Sequence, residues 1–186
     1  MIRIVLFGIL CLMNSLAANA QMGKLFDADK QMSSSFTTQI DLDKDGFIWI
    51  TTRNGLNRYD GYQFRIYKKE SRQDLGMASN YVNCMTQDHN GRFYIGMYGA
   101  LQIFDGQRFR SVTTYDLDKK SIPCYVTCLL ERQNREMLIG TSGHGLLKMK
   151  GHREAYQMGD IFSHLNGVHR IMEDRRQQIW LATETT

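Results

Sequence analysis

The sequence repeats itself with a period of 42 to 45 residues, and this period restricts the possible folds more than any other feature of the chain. One unit reads Asp43-Lys44-Asp45-Gly46-Phe47-Ile48-Trp49-Ile50-Thr51-Thr52, then Asn54-Gly55-Leu56-Asn57-Arg58-Tyr59-Asp60-Gly61. A second reads Asp88-His89-Asn90-Gly91-Arg92-Phe93-Tyr94-Ile95-Gly96-Met97 and closes on Gly99 to Gly106. A third, more worn, runs from Arg135 through Leu138-Ile139-Gly140-Thr141 to Gly151; it lacks the Asp-x-x-Gly turn and the aromatic residue. A fourth begins at Glu173 and reaches Ile179-Trp180-Leu181-Ala182-Thr183. The large residues Trp49, Tyr94, Leu138 and Trp180 lie 45, 44 and 42 apart, and the closing glycines Gly61, Gly106 and Gly151 lie 45 apart.

Each period breaks into four strand-like runs. In the second unit these are Val82–Gln87, Arg92–Met97, Ala100–Phe104 and Arg108–Val112, with Asp-His-Asn-Gly and Asp-Gly turns between them. Phe47–Ile50 and Met137–Ile139 are apolar without alternation, as a sheet covered on both faces requires. Short strands, glycine turns and this period predict an all-β chain, a β-propeller fragment of about three and a half four-stranded blades in an incomplete ring. The expected blades are residues 37–67, 81–113, 124–157 and, in part, 168–186, after a lead-in segment 21–36. Thr51, Gly96, Gly140 and Ala182 form a column of small residues, read as a limit on bulk where strands converge on the axis. The fourth unit is cut short at Thr186, so the chain is expected to be the first part of a longer reading frame.

Residues 1–20 read as a secretory signal peptide. Arg3 supplies the positive end, Ile4 to Met13 the apolar run, and Ala18-Asn19-Ala20 the cleavage pattern. The apolar run is too short for a membrane span, which needs roughly 20 residues. Leu10 before Cys11 argues against lipidation there. Export is expected. A net charge of +4 does not by itself call for nucleic acid or an anionic membrane surface. Cys84, Cys124 and Cys128 remain after cleavage, an odd number without zinc-ligand spacing, and read as small buried hydrophobes.

Chemical motifs are few. Asp41-Leu42-Asp43-Lys44-Asp45-Gly46 opens like a calcium loop, but Thr52 stands where a bidentate glutamate is required. Ser142-Gly143-His144 has no third group to orient a base. His89, His144, His152, His164 and His169 show no ligand spacing, so no metal and no cofactor is expected. Arg53, Arg58, Arg65, Lys68, Lys69 and Arg72 interleave with Tyr59, Tyr62, Phe64 and Tyr67, a pattern read as a solvated face rather than a nucleic-acid surface. Arginines beside aromatics could equally serve a sugar or a uronate.

The pattern Asp-x-x-Gly-x-Ile-Trp-Ile-x-Thr, then Gly-Leu-x-x-Tyr-Asp-Gly and Phe, standing here as Asp43 to Phe64, resembles the two-component regulator propeller repeat. The likeness extends over roughly residues 35 to 183. It implies the periplasmic sensor part of a hybrid histidine kinase, detecting oligosaccharides released from polysaccharides. The full-length protein would be anchored in the inner membrane by later segments and would be a homodimer. Kinase, receiver and DNA-binding parts are absent from this chain, which is expected to be neither an enzyme nor a nucleic-acid binder. Two alternatives stand beside this: an exported propeller lyase or hydrolase, and a protein-binding scaffold. Propeller ligands use the loops after the second strand and the links between blades. Arg53, Asn54, Tyr98 and His144 are therefore the first candidates for ligand contact.

Overall fold

A computed structural model describes residues 31–70, 76–159, 162 and 165–184. The expected signal peptide and most of the lead-in segment lie outside the described residues. The described residues form fourteen strands: β1 (Thr37–Leu42), β2 (Ile48–Thr52), β3 (Gly55–Tyr59), β4 (Phe64–Tyr67), β5 (Val82–Gln87), β6 (Phe93–Met97), β7 (Ala100–Phe104), β8 (Phe109–Tyr115), β9 (Tyr125–Glu131), β10 (Met137–Ser142), β11 (Leu146–Lys150), β12 (Glu154–Gln157), β13 (Val168–Glu173) and β14 (Ile179–Thr183). Within each group of four, every strand pairs antiparallel with the next, giving three four-stranded blades and the inner pair of a fourth. This is the β-propeller architecture that the period predicts.

The hairpin turns carry the repeat. Gly46 and Gly91 sit at φ +85, in the left-handed region that glycine adopts without a side-chain clash. The aspartate three residues earlier closes the turn from within. Asp43 Oδ1 accepts the backbone N–H of Asp45 and Phe47, each at 2.9 Å, and its Oδ2 accepts Trp49 Nε1 at 2.7 Å. Asp88 and Asp174 repeat the arrangement, with Arg92 Nε and Trp180 Nε1 on the outer oxygen. The calcium-like segment is thus a turn whose central carboxylate is occupied by the chain's own donors.

Three apolar clusters fill the seams between blades. Trp49 from blade 1 packs on Phe93 of blade 2 with centroids 4.7 Å apart, within a cluster that includes Leu56, Met85 and Ile95. Tyr94, Leu101 and Ile103 of blade 2 meet Val126, Met137 and Ile139 of blade 3. Leu138 and Leu146 of blade 3 meet Val168 and Ile171 of the fourth. Arg58, expected on a solvated face, instead lies half-buried, its guanidinium 4.4 Å from the Phe47 ring and 5.9 Å from Trp49. It caps the first seam because the long side chain covers apolar rings while keeping its charge near water.

The expectation of separate four-stranded blades needs one amendment. β8 runs on to Tyr115, three residues beyond the predicted Val112, and pairs parallel with β12 through Thr113, Thr114 and Tyr115. Blades 2 and 3 therefore form one eight-stranded sheet at the rim, where Tyr115 stacks on Tyr156 at 4.9 Å. The link that follows folds back on β8, with Ile122 N donating to Thr114 O at 2.8 Å. Among the described residues no helix is long and apolar enough to cross a membrane.

Candidate functional site

The innermost strands β1, β5 and β9 lie side by side, and each begins with an aromatic residue or just after one: Phe36, Tyr81 and Tyr125. Strands β2 and β6 end at their last paired positions, Thr52 and Met97, and Arg53 and Tyr98 follow them in the chain. There the backbone N–H of Arg53 donates to Phe36 O and that of Tyr98 to Tyr81 O, both at 3.1 Å. The two columns interleave into one cluster. Arg53 places its guanidinium 5.6 Å from the ring centroids of both Phe36 and Tyr81. Tyr81 lies 6.3 Å from Tyr98 and 6.2 Å from Tyr125, and Tyr98 meets Tyr125 edge-on at 5.2 Å. Tyr98 is 64% and Phe36 67% exposed, so large ring surface faces solvent next to half-buried Tyr81 and Tyr125.

The cluster is held from below. Tyr125 Oη donates to Asn83 Oδ1 at 3.2 Å, and Asn83 Nδ2 donates to Val126 O at 2.8 Å. Desolvation, with a further contribution from neighbouring Tyr81, pushes the Tyr125 phenol above the ordinary tyrosine range. It stays a neutral hydroxyl at physiological pH. Exposed rings fixed by backbone and side-chain bonds, with a cation and phenol hydroxyls at their edge, can stack on an apolar ring face while bonding the polar groups around it.

Of the four residues singled out from sequence, the structure brings Arg53 and Tyr98 into this cluster. Asn54 points elsewhere: its Nδ2 donates to Ser33 O at 3.2 Å, tying the lead-in segment to blade 1. His144 sits on the β10–β11 loop, where its carbonyl accepts Gln157 Nε2 at 3.0 Å. Phe36, Tyr81 and Tyr125 were not singled out, although their spacing of 45 and 44 follows the repeat.

At the opposite face, a cleft of about 600 Å³ opens between blades 2 and 3, lined by groups including Asp88, His89, Arg92, Tyr94, Glu131, Glu136 and His152. Its carboxylates are engaged internally. Asp88 pairs with Arg92 Nε at 2.9 Å, Glu131 with His89, and Glu136 with Arg132 at 2.8 Å and Lys148 at 3.1 Å. The Asn134 amide, Lys148 and Arg132 hold the Glu136 carboxyl down to about 2. Of these pairs, that of His89 and Glu131 joins blade 2 to blade 3, and the others lie within one blade. Among the described residues, no three His, Cys, Asp or Glu side chains are grouped to hold a metal ion. Cys84 and Cys124 are buried and Cys128 half-buried; burial raises all three thiols above their ordinary range.

Residues 76–99, which include Tyr81 and Tyr98, match the two-component regulator propeller family. Over 55 residues the chain is 34% identical to histidine kinase P4 of Formosa agariphila, an alignment covering 30% of this chain and 4% of that protein. The extracellular domain of a hybrid two-component system of B. thetaiotaomicron superposes with a TM-score of 0.65 at 16% identity, covering 78% of this chain and 22% of the other. Virginiamycin B lyase from Staphylococcus aureus superposes at 0.60 and 12% identity, covering 78% and 48%. At these identities the structural likeness is one of fold, and this chain spans a minor part of each of these proteins. The chain thus has a β-propeller fold and, over residues 76–99, is similar to the two-component regulator propeller family.

Proposed function

We propose that this chain is the ligand-binding part of an exported, non-catalytic sensor, and that it takes an oligosaccharide at the face formed by Phe36, Arg53, Tyr81, Tyr98 and Tyr125. The observation that carries the proposal is the cluster itself. Two interleaved columns of the repeat place exposed aromatic rings at one end of neighbouring blades, on backbone that β-pairing holds fixed. A rigid aromatic platform binds with little loss of side-chain entropy, and its rings match the apolar face of a pyranose. The match to the two-component regulator propeller family, and the likeness to an extracellular domain of such a system, support a signalling role over a catalytic one. In the full-length protein, binding would favour one relative placement of two copies and so bias a distant kinase.

Calorimetric titration of the full-length protein with a panel of plant and algal oligosaccharides tests this, with chromatography of the mixtures afterwards. At least one glycan is expected to bind without turnover, and Tyr98→Ala is expected to weaken it about tenfold or more, the loss of one well-placed ring. Binding that Tyr98→Ala and Tyr125→Ala leave unchanged would remove the site. A shortened product would favour the propeller enzyme.

A further inference from the structure

Arg53 brings to this face a charge that the cluster does not consume. Its guanidinium lies 5.6 Å from two ring centroids, and its backbone is pinned to Phe36. A guanidinium held against rings by a cation–π contact spends none of its N–H donors on a carboxylate, and those donors stay free to bond an anion. Among the described residues, Arg53 makes no ion pair, whereas Arg92, Arg110 and Arg132 each meet a carboxylate within 3.0 Å. The nearby phenol of Tyr125 remains neutral, so it supplies no internal counter-charge. Arg53 is also exposed, with a side chain oriented by two rings rather than free in solvent. An oriented, unpaired guanidinium beside open aromatic surface fits an oxyanion attached to a ring.

We infer that the saccharide bound here is acidic: its carboxylate or sulfate takes the N–H donors of Arg53 while its sugar ring stacks against the tyrosines. This rests on the oligosaccharide site proposed above and specifies what that site selects. A planar carboxylate can accept two parallel N–H bonds from one guanidinium, a geometry that a lysine ammonium cannot reproduce. The charge-assisted contact supplies selectivity over a neutral sugar of the same shape, because only the anion satisfies the donors.

The test titrates the full-length protein with three probes: tetragalacturonate, its full methyl ester, and a sulfated galactose tetramer. The ester keeps the rings and removes the charge. Tetragalacturonate or the sulfated tetramer is expected to bind about tenfold or more tightly than the ester, and to weaken with added salt. Which of the two binds tells a carboxylate from a sulfate. Arg53→Gln should abolish the preference for charge, weakening the acidic probe about tenfold more than the ester, and Arg53→Lys should keep only part of that preference. Circular dichroism of both variants confirms that they fold, and Arg53→Lys serves alone if Arg53→Gln does not. Equal binding of acid and ester, or equal losses for both in Arg53→Gln, would overturn the inference and leave the oligosaccharide site standing. No binding by any of the three, nor by any glycan of the wider panel, would overturn the site itself.

Discussion

At Asp43, Asp88 and Asp174 a single carboxylate closes a turn and reaches one side chain beyond it. The third blade keeps the turn by other means. Arg132 occupies the aspartate position and Glu136 answers it at 2.8 Å, while Asn134 Oδ1 accepts Glu136 N at 3.1 Å. Turn geometry is also kept without glycine: Arg135 at φ +72 and Gln177 at φ +62 stand where Gly46 and Gly91 sit. An L-residue with a Cβ in this region is strained by about 1–2 kcal/mol, part of which glycine's larger unfolded-state entropy offsets. Arg135→Gly is therefore expected to stabilise the protein by about 0.5–1 kcal/mol, read as a rise in the urea midpoint at unchanged slope. Arg135→Ala, which keeps a Cβ, should show no such gain. A drop in the midpoint for the glycine variant would mean that the Arg135 side chain supports the seam.

Between elements, the seams are set by features that recur with the period but leave only part of their mark on sequence. Each inner strand carries a bulge at Thr38, Asn83, Thr127 or His169, the residue skipped in pairing. In the first three blades that extra residue turns its side chain to the next blade: Thr38 Oγ1 donates to Val82 O at 2.7 Å, Asn83 to Val126 O, and Thr127 to Val168 O. A bulge re-aims a side chain in just this way. At the other end of each seam, the turn N–H of Lys44, His89 and Gln133 is taken by Gln87, Glu131 and Glu173. The valine that each bulge engages also explains the small column. A Cβ on Gly96 would stand 2.5 Å from both Val126 Cγ1 and Cys84 Sγ, and one on Gly140 would stand 2.4 Å from Cys128 Sγ. The constraint is thus the neighbouring blade's valine and a cysteine, a more local cause than the crowding at an axis expected from sequence. Gly96→Ala should cost about 2 kcal/mol by overpacking, and Cys84→Ala in the same chain should recover part of it. Additive losses in the double variant would refute that contact. Blade number, strand order and hairpin turns were legible because each writes a residue type into a fixed column. The aromatic platform was half legible. Arg53 and Tyr98 fall beside the conspicuous Trp and Gly positions, whereas Phe36, Tyr81 and Tyr125 stand at or just before the start of each unit's first strand, outside the runs that show the repeat most plainly. The bulges and the β8–β12 pairing depend on backbone register, which residue types alone do not encode.

Across the whole molecule, the same columns that fill the interior seams come to the surface at its two ends. Met85 and Ile171 are buried against the preceding blade, but their counterpart Ile40 is 65% exposed. Trp49, Tyr94 and Leu138 are buried against the following blade, but Trp180 is 57% exposed. Leu42 and Met172 widen the two apolar faces. One face therefore resembles the donor side of an interior seam and the other the receiving side. Faces related in this way associate head to tail, which extends without closing unless the rotation returns on itself. The polypeptide of 186 residues by itself is expected to self-associate with rising concentration, seen in sedimentation velocity as a shift to larger species. Because two different faces meet, a charge on either should suffice: Ile40→Lys alone and Trp180→Lys alone are each expected to restore the monomer. Equimolar mixing of the two variants should then give dimers and nothing longer, since each keeps one intact face. A chain that stays monomeric at all concentrations, or a mixture that forms long species, would show that these ends do not meet as the interior seams do.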